Sequence, residues 1–408
     1  EFRQMNLENY SADVSYRLDD RFTLNSITTY NDTDLALFSS PTSSTYFRDD
    51  HRKDGDFTQD LQLEIGGGAD GLSGVVGAFY GDFSQEVDSY ITSSGFVAQN
   101  GTFINETETA AVYADLRYRL THWMSLLGGL RYQHDRVHNF IDNKSDFGNT
   151  FTDREADFDV LLPKAGVAFD LDETRSVALT ASRGYRQGFT EVDNSGGGGI
   201  NKVDPEYVWT YEIAYRQAAA DNRFTLGGNL FFNHYTDQQI TIPVGSGSST
   251  NTKNIGESIS FGAEVEGRYN FPNGISVFGS VGLLKTEFRD FDDDDCNGGN
   301  CNGNDFPESP WLTASFGAAY THHTGLFGSA GVNYTGQRFA SADLNNKFEL
   351  HEYVVANIRA GYAIENASLS LYVDNLFDEQ YLTSRSTTSQ EASIGDARTF
   401  GVELLLRF

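Results

Sequence analysis

Polar and apolar residues alternate along this chain with a period of two, in one run after another. In the last run, the apolar parity holds Phe400, Val402, Leu404, Leu406 and Phe408. Glu403 and Arg407 lie on the other parity, which Leu405 interrupts. Successive side chains of a strand point to opposite faces, so the pattern predicts strands with one apolar and one water-facing side.

About seventeen such runs can be counted, and the connections between them are alternately short and long. The short ones lie near residues 19–20, 66–71, 121–122, 171–174, 219–222, 271–274, 323–325 and 365–366. The long ones, such as 31–55 and 339–350, are polar and rich in Gly, Ser, Asn and Asp. In an antiparallel meander, alternate connections lie at the same end of the sheet. The chain therefore predicts a sheet with tight turns at one end and long loops at the other.

This asymmetry is typical of an antiparallel transmembrane β-barrel, with short periplasmic turns and long extracellular loops. A soluble sandwich has no reason to sort its loops by length, and a propeller or solenoid would show a repeated motif. No apolar run approaches the roughly 20 residues that a spanning helix needs. The composition agrees, because 31 Phe, 21 Tyr and 41 Gly against 7 Pro favour strands and tight turns.

The strand count raises a question of closure. With seventeen strands the first and last would point the same way, and two such strands cannot close an antiparallel barrel. An open edge in lipid leaves backbone groups unpaired. Either the count is off by one or further strands precede Glu1, where no signal peptide is seen. The chain is therefore expected to be mature, truncated or both.

Four segments carry a resemblance to a known family. They are residues 372–381, which contain the sequence Asn-Leu-Phe-Asp, and residues 398–408, 182–189 and 262–266. Together they resemble TonB-dependent outer-membrane receptors, most specifically over the last forty or so residues. In that family the Asn-Leu-Phe-Asp sequence precedes the last extracellular loop, and the barrel-assembly machinery reads a final strand ending in Phe. The resemblance implies that Phe400, Val402, Leu404, Leu406 and Phe408 form this assembly signal.

The resemblance also implies a fold and a function. The family has a 22-stranded barrel behind an N-terminal plug, so residues 1–408 would be the C-terminal portion of the barrel domain, without plug or first strands. The implied function is active uptake across the outer membrane of a Gram-negative bacterium, not catalysis. The expected partners are the TonB complex acting through the plug, membrane lipid, lipopolysaccharide, and a ferric siderophore or another scarce nutrient. A passive porin of sixteen or eighteen strands is the alternative.

The charge excludes one class of partner. With 58 acidic against 29 basic residues, the net charge of −29 argues against nucleic-acid binding. The acidic residues concentrate between the predicted strands, as solvated loops or as a surface that attracts cations.

Cys296 and Cys301 lie five residues apart in one acidic loop. Such a loop would be outside the reducing cytosol, so we expect a disulfide. The neighbouring Asp292, Asp294 and Asp295 offer the oxygen ligands that Ca²⁺ prefers, although the spacing does not match an EF-hand. The alternatives are a structural Ca²⁺ ion here and no cofactor at all.

Ligand contacts are expected from inward-facing residues near the outer rim. By parity and position these are Gln133, Asp135, Arg186, Asn233, Tyr235, Asn333 and Gln337. An arginine there suits a carboxylate or a ferric catecholate. Each is also explained as an ordinary lumen residue. No catalytic constellation can be defined from residue order.

Overall fold

The structure, a computed structural model, is a single 17-stranded antiparallel sheet with three small hairpins at one end. It describes residues 2–39, 46–66, 71–193, 199–219, 221, 223–243, 250–292, 296, 299–341, 343–387 and 392–407. These residues contain no α-helix, as the all-β prediction requires. No helix among them is long and apolar enough to cross a membrane.

The strands are numbered in chain order from β1 to β23. They are β1 (Phe2–Arg17), β2 (Phe22–Ser39), β3 (Tyr46–Ile65), β4 (Leu72–Ser93), β5 (Phe96–Arg119), β6 (Met124–Ser145), β7 (Gly148–Asp170), β8 (Arg175–Arg186), β9 (Phe189–Val192), β10 (Ile200–Val203), β11 (Glu206–Ala218), β12 (Phe224–Pro243), β13 (Thr250–Asn270), β14 (Ile275–Asp290), β15 (Leu312–Thr321), β16 (Leu326–Thr335), β17 (Arg338–Phe339), β18 (Glu349–Leu350), β19 (Tyr353–Ile364), β20 (Ala367–Asp374), β21 (Leu382–Arg385), β22 (Ala392–Ile394) and β23 (Thr399–Leu406).

The large sheet is a meander in which each strand pairs with the one before it. The only interruptions in chain order are the hairpins β9–β10, β17–β18 and β21–β22, which pair within themselves. The predicted count of seventeen strands is confirmed. Because this number is odd, the edge strands β1 and β23 run in the same direction. No pairing between them occurs among the described residues.

The two faces of the sheet differ as predicted. On β6, Leu126, Leu130 and Tyr132 are exposed on one face, while Arg131 and Gln133 point to the other. The same exposed apolar parity continues across neighbouring strands through register pairs such as Tyr132↔Leu161. A band of large apolar side chains left exposed around a whole sheet indicates a lipid-facing surface. The opposite, polar face is therefore the lumen.

Tight turns form at 19–20, 121–122, 171–174, 271–274, 323–325 and 365–366, as predicted, while the connections predicted at 66–71 and 219–222 lie partly outside the described residues. Aspartates stabilise two of these turns. In the β1–β2 turn, Asp19 Oδ1 accepts hydrogen bonds from the backbone N–H groups of Arg21 and Phe22, each at 2.8 Å. These bonds favour the ionised carboxylate and lower the pKa of Asp19. In the β7–β8 turn, Asp172 Oδ1 accepts from the backbone N–H of Thr174, and the Arg175 side chain pairs with Asp172. The Arg175 and Thr174 contacts hold the pKa of Asp172 well below its usual value.

The long connections near the start of the chain are shorter than predicted. Residues 31–55, expected as a loop, are mostly strand, because β2 extends to Ser39 and β3 starts at Tyr46. The connection between β4 and β5 is likewise short, a turn at residues 94–95. The apolar/polar alternation marks only the part of a strand whose two faces meet different solvents. Above the lipid both faces are wet, so the backbone ladder continues without the pattern.

The ladder between β7 and β8 ends next to a proline. The β7–β8 ladder stops at Lys164↔Ser182, and in the same register the next pair would use Pro163. Proline has no backbone N–H to donate to a neighbouring strand. Above this point β7 pairs only with β6, and the chain after β8 leaves the wall to form the β9–β10 hairpin.

Candidate functional site

The end of the sheet with long connections is covered by loops that fold onto the lumen face. The β9–β10 hairpin contacts two distant parts of the wall. On one side the Thr190 N–H donates to Asn139 Oδ1 of β6 at 3.1 Å. On the other, Asn201 Nδ2 donates to the Thr252 carbonyl of β13 at 2.6 Å, and the Thr252 N–H donates to Glu191 Oε1 at 2.5 Å. The hairpin thus crosses the mouth between β6 and β13.

The loop between β14 and β15 forms a small apolar core of its own. Cys296 and Cys301 are joined by a disulfide, with their Cα atoms 5.2 Å apart. Both are buried against an apolar group from three segments of the chain: Ile242, Ile255, Phe288, Phe291 and Leu344. The loop is therefore fixed to the top of the β12–β13 hairpin and to the β16–β19 connection.

The acidic residues of this loop are only partly described. Asp292 Oδ1 accepts a hydrogen bond from Asn300 Nδ2 at 2.6 Å, whereas Asp294 and Asp295 lie outside the described residues. Among the residues that are described, no group of three His, Cys, Asp or Glu side chains is arranged to hold a metal. Calcium binding by this loop stays a prediction.

Two of the predicted ligand residues contact each other. Gln133 Nε2 donates to both carboxylate oxygens of Asp135 at 2.9 Å, and Thr109 Oγ1 donates to Asp135 Oδ1 at 2.6 Å. The Asp135 side chain is 0% exposed. Gln133 in turn accepts from Arg131 Nε at 2.8 Å. Asp135 therefore serves a buried hydrogen-bond network, and Gln133 and Arg131 form its lumen side.

The other predicted ligand residues belong to separate clusters. Asn233 bridges β11 and β13, accepting from Thr210 Oγ1 at 2.8 Å and donating to Ser260 Oγ at 2.9 Å. The ring of Tyr235 lies 6.2 Å from that of Phe306, so it supports the disulfide loop.

Asn333 accepts from Ser315 Oγ at 2.9 Å, and Arg186 is exposed at the end of β8, opposite Glu206 in register. Gln337 is half-buried beyond β16. Of the seven predicted ligand residues, only Gln133 and Asp135 contact each other among the described residues.

Sequence reasoning missed a second group at the mouth, formed by Arg338, Tyr353 and Tyr381. The rings of Tyr353 and Tyr381 are stacked with centroids 4.0 Å apart, and Arg338 Cζ lies 5.7 Å from the Tyr353 centroid. The three residues come from the starts of β17 and β19 and from the connection after β20. Nothing in the period-two pattern marks them, because their contacts form between loops.

The Asn-Leu-Phe-Asp sequence shapes the last connection. Asn375 has a positive φ of 49°, and its side chain both donates to the carbonyls of Glu379 and Asp396 and accepts the Glu379 N–H, each at 2.9 Å. Asp378 Oδ1 accepts from the Arg398 N–H at 2.9 Å. These bonds close the loop back onto the start of β23. In the structure, the Asn-Leu-Phe-Asp residues therefore stabilise the fold of the connection between β20 and β23.

A cavity of about 1000 Å³ lies on the lumen face near the tight turns. Its lining includes Glu212, Glu264 and Glu266 together with Arg216 and Arg268. The lower lumen is thus charged and wide, in contrast to the loop-filled mouth.

Comparison with known proteins identifies the fold. Residues 2–376 match the family model described as TonB dependent receptor-like, beta-barrel. The chain belongs to this family. It is therefore an outer-membrane barrel of the Gram-negative type, whose tight turns are periplasmic and whose covered mouth is extracellular. The family consists of transport receptors.

Individual relatives are distant. The chain is 26% identical over 326 residues to the pesticin receptor of Yersinia pestis, covering 78% of this chain and 45% of that protein. It is 22% identical over 340 residues to the catecholate siderophore receptor Fiu of Escherichia coli K12, covering 77% and 43%. The crystal structure of the ferric yersiniabactin uptake receptor FyuA from Yersinia pestis superimposes with a TM-score of 0.85 at 21% identity. That match covers 100% of this chain and 61% of FyuA. The chain therefore spans less than half of the two relatives and about three fifths of FyuA.

Proposed function

We propose that this barrel is part of an active-uptake receptor that captures a ferric siderophore, or another scarce nutrient of similar size, with energy supplied by the TonB complex. The relatives named above include siderophore receptors. The observation that carries the proposal is the covered mouth. Contacts to Asn139 and Tyr235, both on the lumen face, draw two extracellular connections inwards.

The covered mouth also bears on the alternative of a passive porin. A diffusion channel depends on an open lumen, whereas here the loops are fixed to the lumen wall by hydrogen bonds and a disulfide-linked core. None of the relatives named above is described as a porin. The proposal is therefore uptake by recognition, and it includes no enzymatic reaction.

The ligand is expected to contact the polar residues that remain accessible at the mouth. Arg186 and Asn333 are exposed, and Gln133, Asn233, Tyr235 and Gln337 are half-buried. Asp135 would act indirectly, by holding Gln133, because its own side chain is sealed from solvent.

Three further partners are proposed from the surface. The exposed apolar band would contact membrane lipid, with lipopolysaccharide around the extracellular rim. Phe400, Val402, Leu404 and Leu406 form the exposed face of β23 that the barrel-assembly machinery would read, and Phe408 lies outside the described residues. The strongly acidic surface gives no support for a nucleic-acid partner.

The test is iron uptake by cells that express the complete protein. Deletion of its gene should abolish growth on at least one ferric siderophore when iron is limiting, and complementation should restore it. Uptake should saturate and should stop when tonB is deleted or the proton gradient is collapsed. Uptake that is unselective and indifferent to TonB would instead support the porin.

A further inference from the structure

Arg338 is a buried cation for which the described residues provide no anionic partner. Its side chain is in the extracellular loop layer just beyond β16, and the residue is 8% exposed. Nη2 donates to the carbonyls of Leu382 and Thr383 at 3.3 and 3.0 Å. Nη1 is buried and has no hydrogen-bond partner. Within the described part of the chain, no carboxylate forms an ion pair with this guanidinium.

The available compensation for this charge is small. Buried charges in proteins are normally paired, because removing an ion from water is energetically costly. Two carbonyl dipoles and a tyrosine ring 5.7 Å away offset only part of that cost. The buried carboxylate of the same connection, Asp343, is used otherwise, since its oxygens accept the N–H groups of Phe348 at 2.6 Å and Asn345 at 3.3 Å.

The aromatic neighbours of Arg338 add no negative charge. Burial raises the pKa of the Tyr381 hydroxyl, with smaller contributions from Tyr353 and Asp396, so this phenol stays neutral at physiological pH. The position of the ring is fixed by close packing, because a Cβ atom on Gly395 would lie 2.1 Å from Tyr381 Cζ. The neighbours of Arg338 are therefore two neutral aromatic rings and two backbone carbonyls.

We propose that Arg338 is an anion-binding subsite of the extracellular mouth and that it takes a carboxylate group of the transported ligand. A guanidinium has planar, paired donors that match a carboxylate, and such charge-assisted bonds are about twice as strong as those to neutral carbonyls. Nη1 is closed to solvent, so the carboxylate reaches it when β21, which supplies the Leu382 and Thr383 carbonyls, moves aside. Ligand capture is thereby coupled to movement of β21.

The first experiment uses the purified protein in detergent with iron-free citrate, at constant ionic strength against chloride. Calorimetry should show saturable binding. Hydrogen exchange should become faster in residues 382–385, where β21 is released, and should be unchanged in the β9–β10 hairpin. No binding heat together with unchanged exchange would overturn the proposal.

The second experiment compares arginine variants. Arg338→Gln should weaken citrate binding by about tenfold or more, the loss expected for a charge-assisted pair, and Arg338→Lys should weaken it less because the charge remains. The matched control is Arg385→Gln. It removes an exposed guanidinium of β21 that lies 5.1 Å from the centroid of the Phe348 ring. Equal weakening by both Gln variants would mean general charge attraction and would contradict the subsite. If Arg338→Gln does not fold, the Lys variant and the exchange measurement on the unaltered protein decide.

This inference deepens the proposed uptake function and rests on it only for the identity of the ligand. Citrate binding lost in Arg338→Gln, with no TonB-dependent iron uptake by the cells, would keep the subsite and reject the siderophore receptor. If purified Arg338→Gln binds citrate normally and cells with the unaltered protein take up iron in a TonB-dependent way, only the subsite is rejected.

Discussion

Tyr372 of β20 lies against Gly401 of β23, so closely that a Cβ atom on Gly401 would be 2.0 Å from Tyr372 Cζ. The two residues are directly opposite in the register of the last strand pair. An aromatic ring over a glycine on the neighbouring strand fixes register, because any slip places a side chain under the ring.

Gly401→Ala should therefore destabilise the last strand pair. The added methyl group forces the Tyr372 ring from its position, and overpacking of this kind costs about 1–3 kcal/mol. Urea unfolding of the barrel in detergent should show a lower midpoint. Gly128→Ala is the control, since a Cβ atom there would meet nothing within 4 Å, and its midpoint should stay near that of the unaltered protein.

A charged side chain should destabilise the barrel at Leu404 but be tolerated at the adjacent Leu405. Leu404 is on the lipid-facing parity with Phe400 and Val402 and is 63% exposed, whereas Leu405 is on the lumen parity. Leu404→Arg should cost up to about 2–4 kcal/mol, depending on its depth in the bilayer, and should reduce assembly in vesicles, while Leu405→Arg should be tolerated. The readout is the fraction of heat-modifiable, folded protein on a gel. A larger loss in Leu405→Arg would reverse the assignment of faces.

Loss of the disulfide should loosen one loop and leave the barrel intact. Cys296 and Cys301 pack with Phe288, Phe291 and Leu344, so the double Cys→Ser variant loses both the covalent ring and apolar packing. A short disulfide ring is worth about 2–3 kcal/mol of local stability. Hydrogen exchange in residues 288–306 should become faster, and protease should cut there first. An unchanged exchange pattern would show that the loop does not need the bond.

Asp135→Asn should destabilise the upper wall of the lumen. Both Thr109 and Gln133 donate to the Asp135 carboxylate, so an amide group in its place sets donor against donor or leaves one of them unpaired. Such a buried mismatch costs about 1–3 kcal/mol. Asp157→Asn on the exposed face of β7 is the matched control and should have little effect on the unfolding midpoint.

His138 should make the stability of the β5–β7 hairpins depend on pH. This residue lies on β6, above the apolar band, where Nδ1 is 2.9 Å from Glu106 Oε2 and Nε2 is 2.8 Å from Asp153 Oδ1. The Glu106 contact, followed by that of Asp153, raises the pKa of His138. A raised folded-state pKa means that the stabilisation is complete below about pH 6.5, the unfolded value, and is lost as the pH rises through the folded value.

The effect of His138→Gln should therefore be larger at pH 6 than at pH 9. The measurement is the unfolding midpoint at the two pH values. His351→Gln is the control, because that side chain is highly exposed and lies 3.9 Å from Glu349. If the unfolding midpoints of His138→Gln and the unaltered protein differ by the same amount at both pH values, the charge on His138 has no such role.

Much of the wall could be predicted from the sequence, and much of the mouth could not. Strand number, strand facing and tight turns follow from a period of two, which lipid and water enforce on residues such as Leu126 and Arg131. Above the lipid this constraint ends, so the pattern predicts a loop where the upper halves of β2 and β3 lie. Arg338, Tyr353 and Tyr381 are brought together by contacts between loops, and no local pattern encodes such contacts. The same is true of the disulfide loop's packing on Ile242 and Leu344.

The β7–β8 ladder ends beside a residue that lacks a backbone N–H group, Pro163. With an amide proton at residue 163, this ladder could have continued past Lys164. As it is, β8 stays paired with β11 as far as Arg186, and the chain then turns inwards, where β9 and β10 contact Asn139 and Thr252. The seam between β7 and β8 is therefore the place where the upper rim opens and the interior hairpin begins.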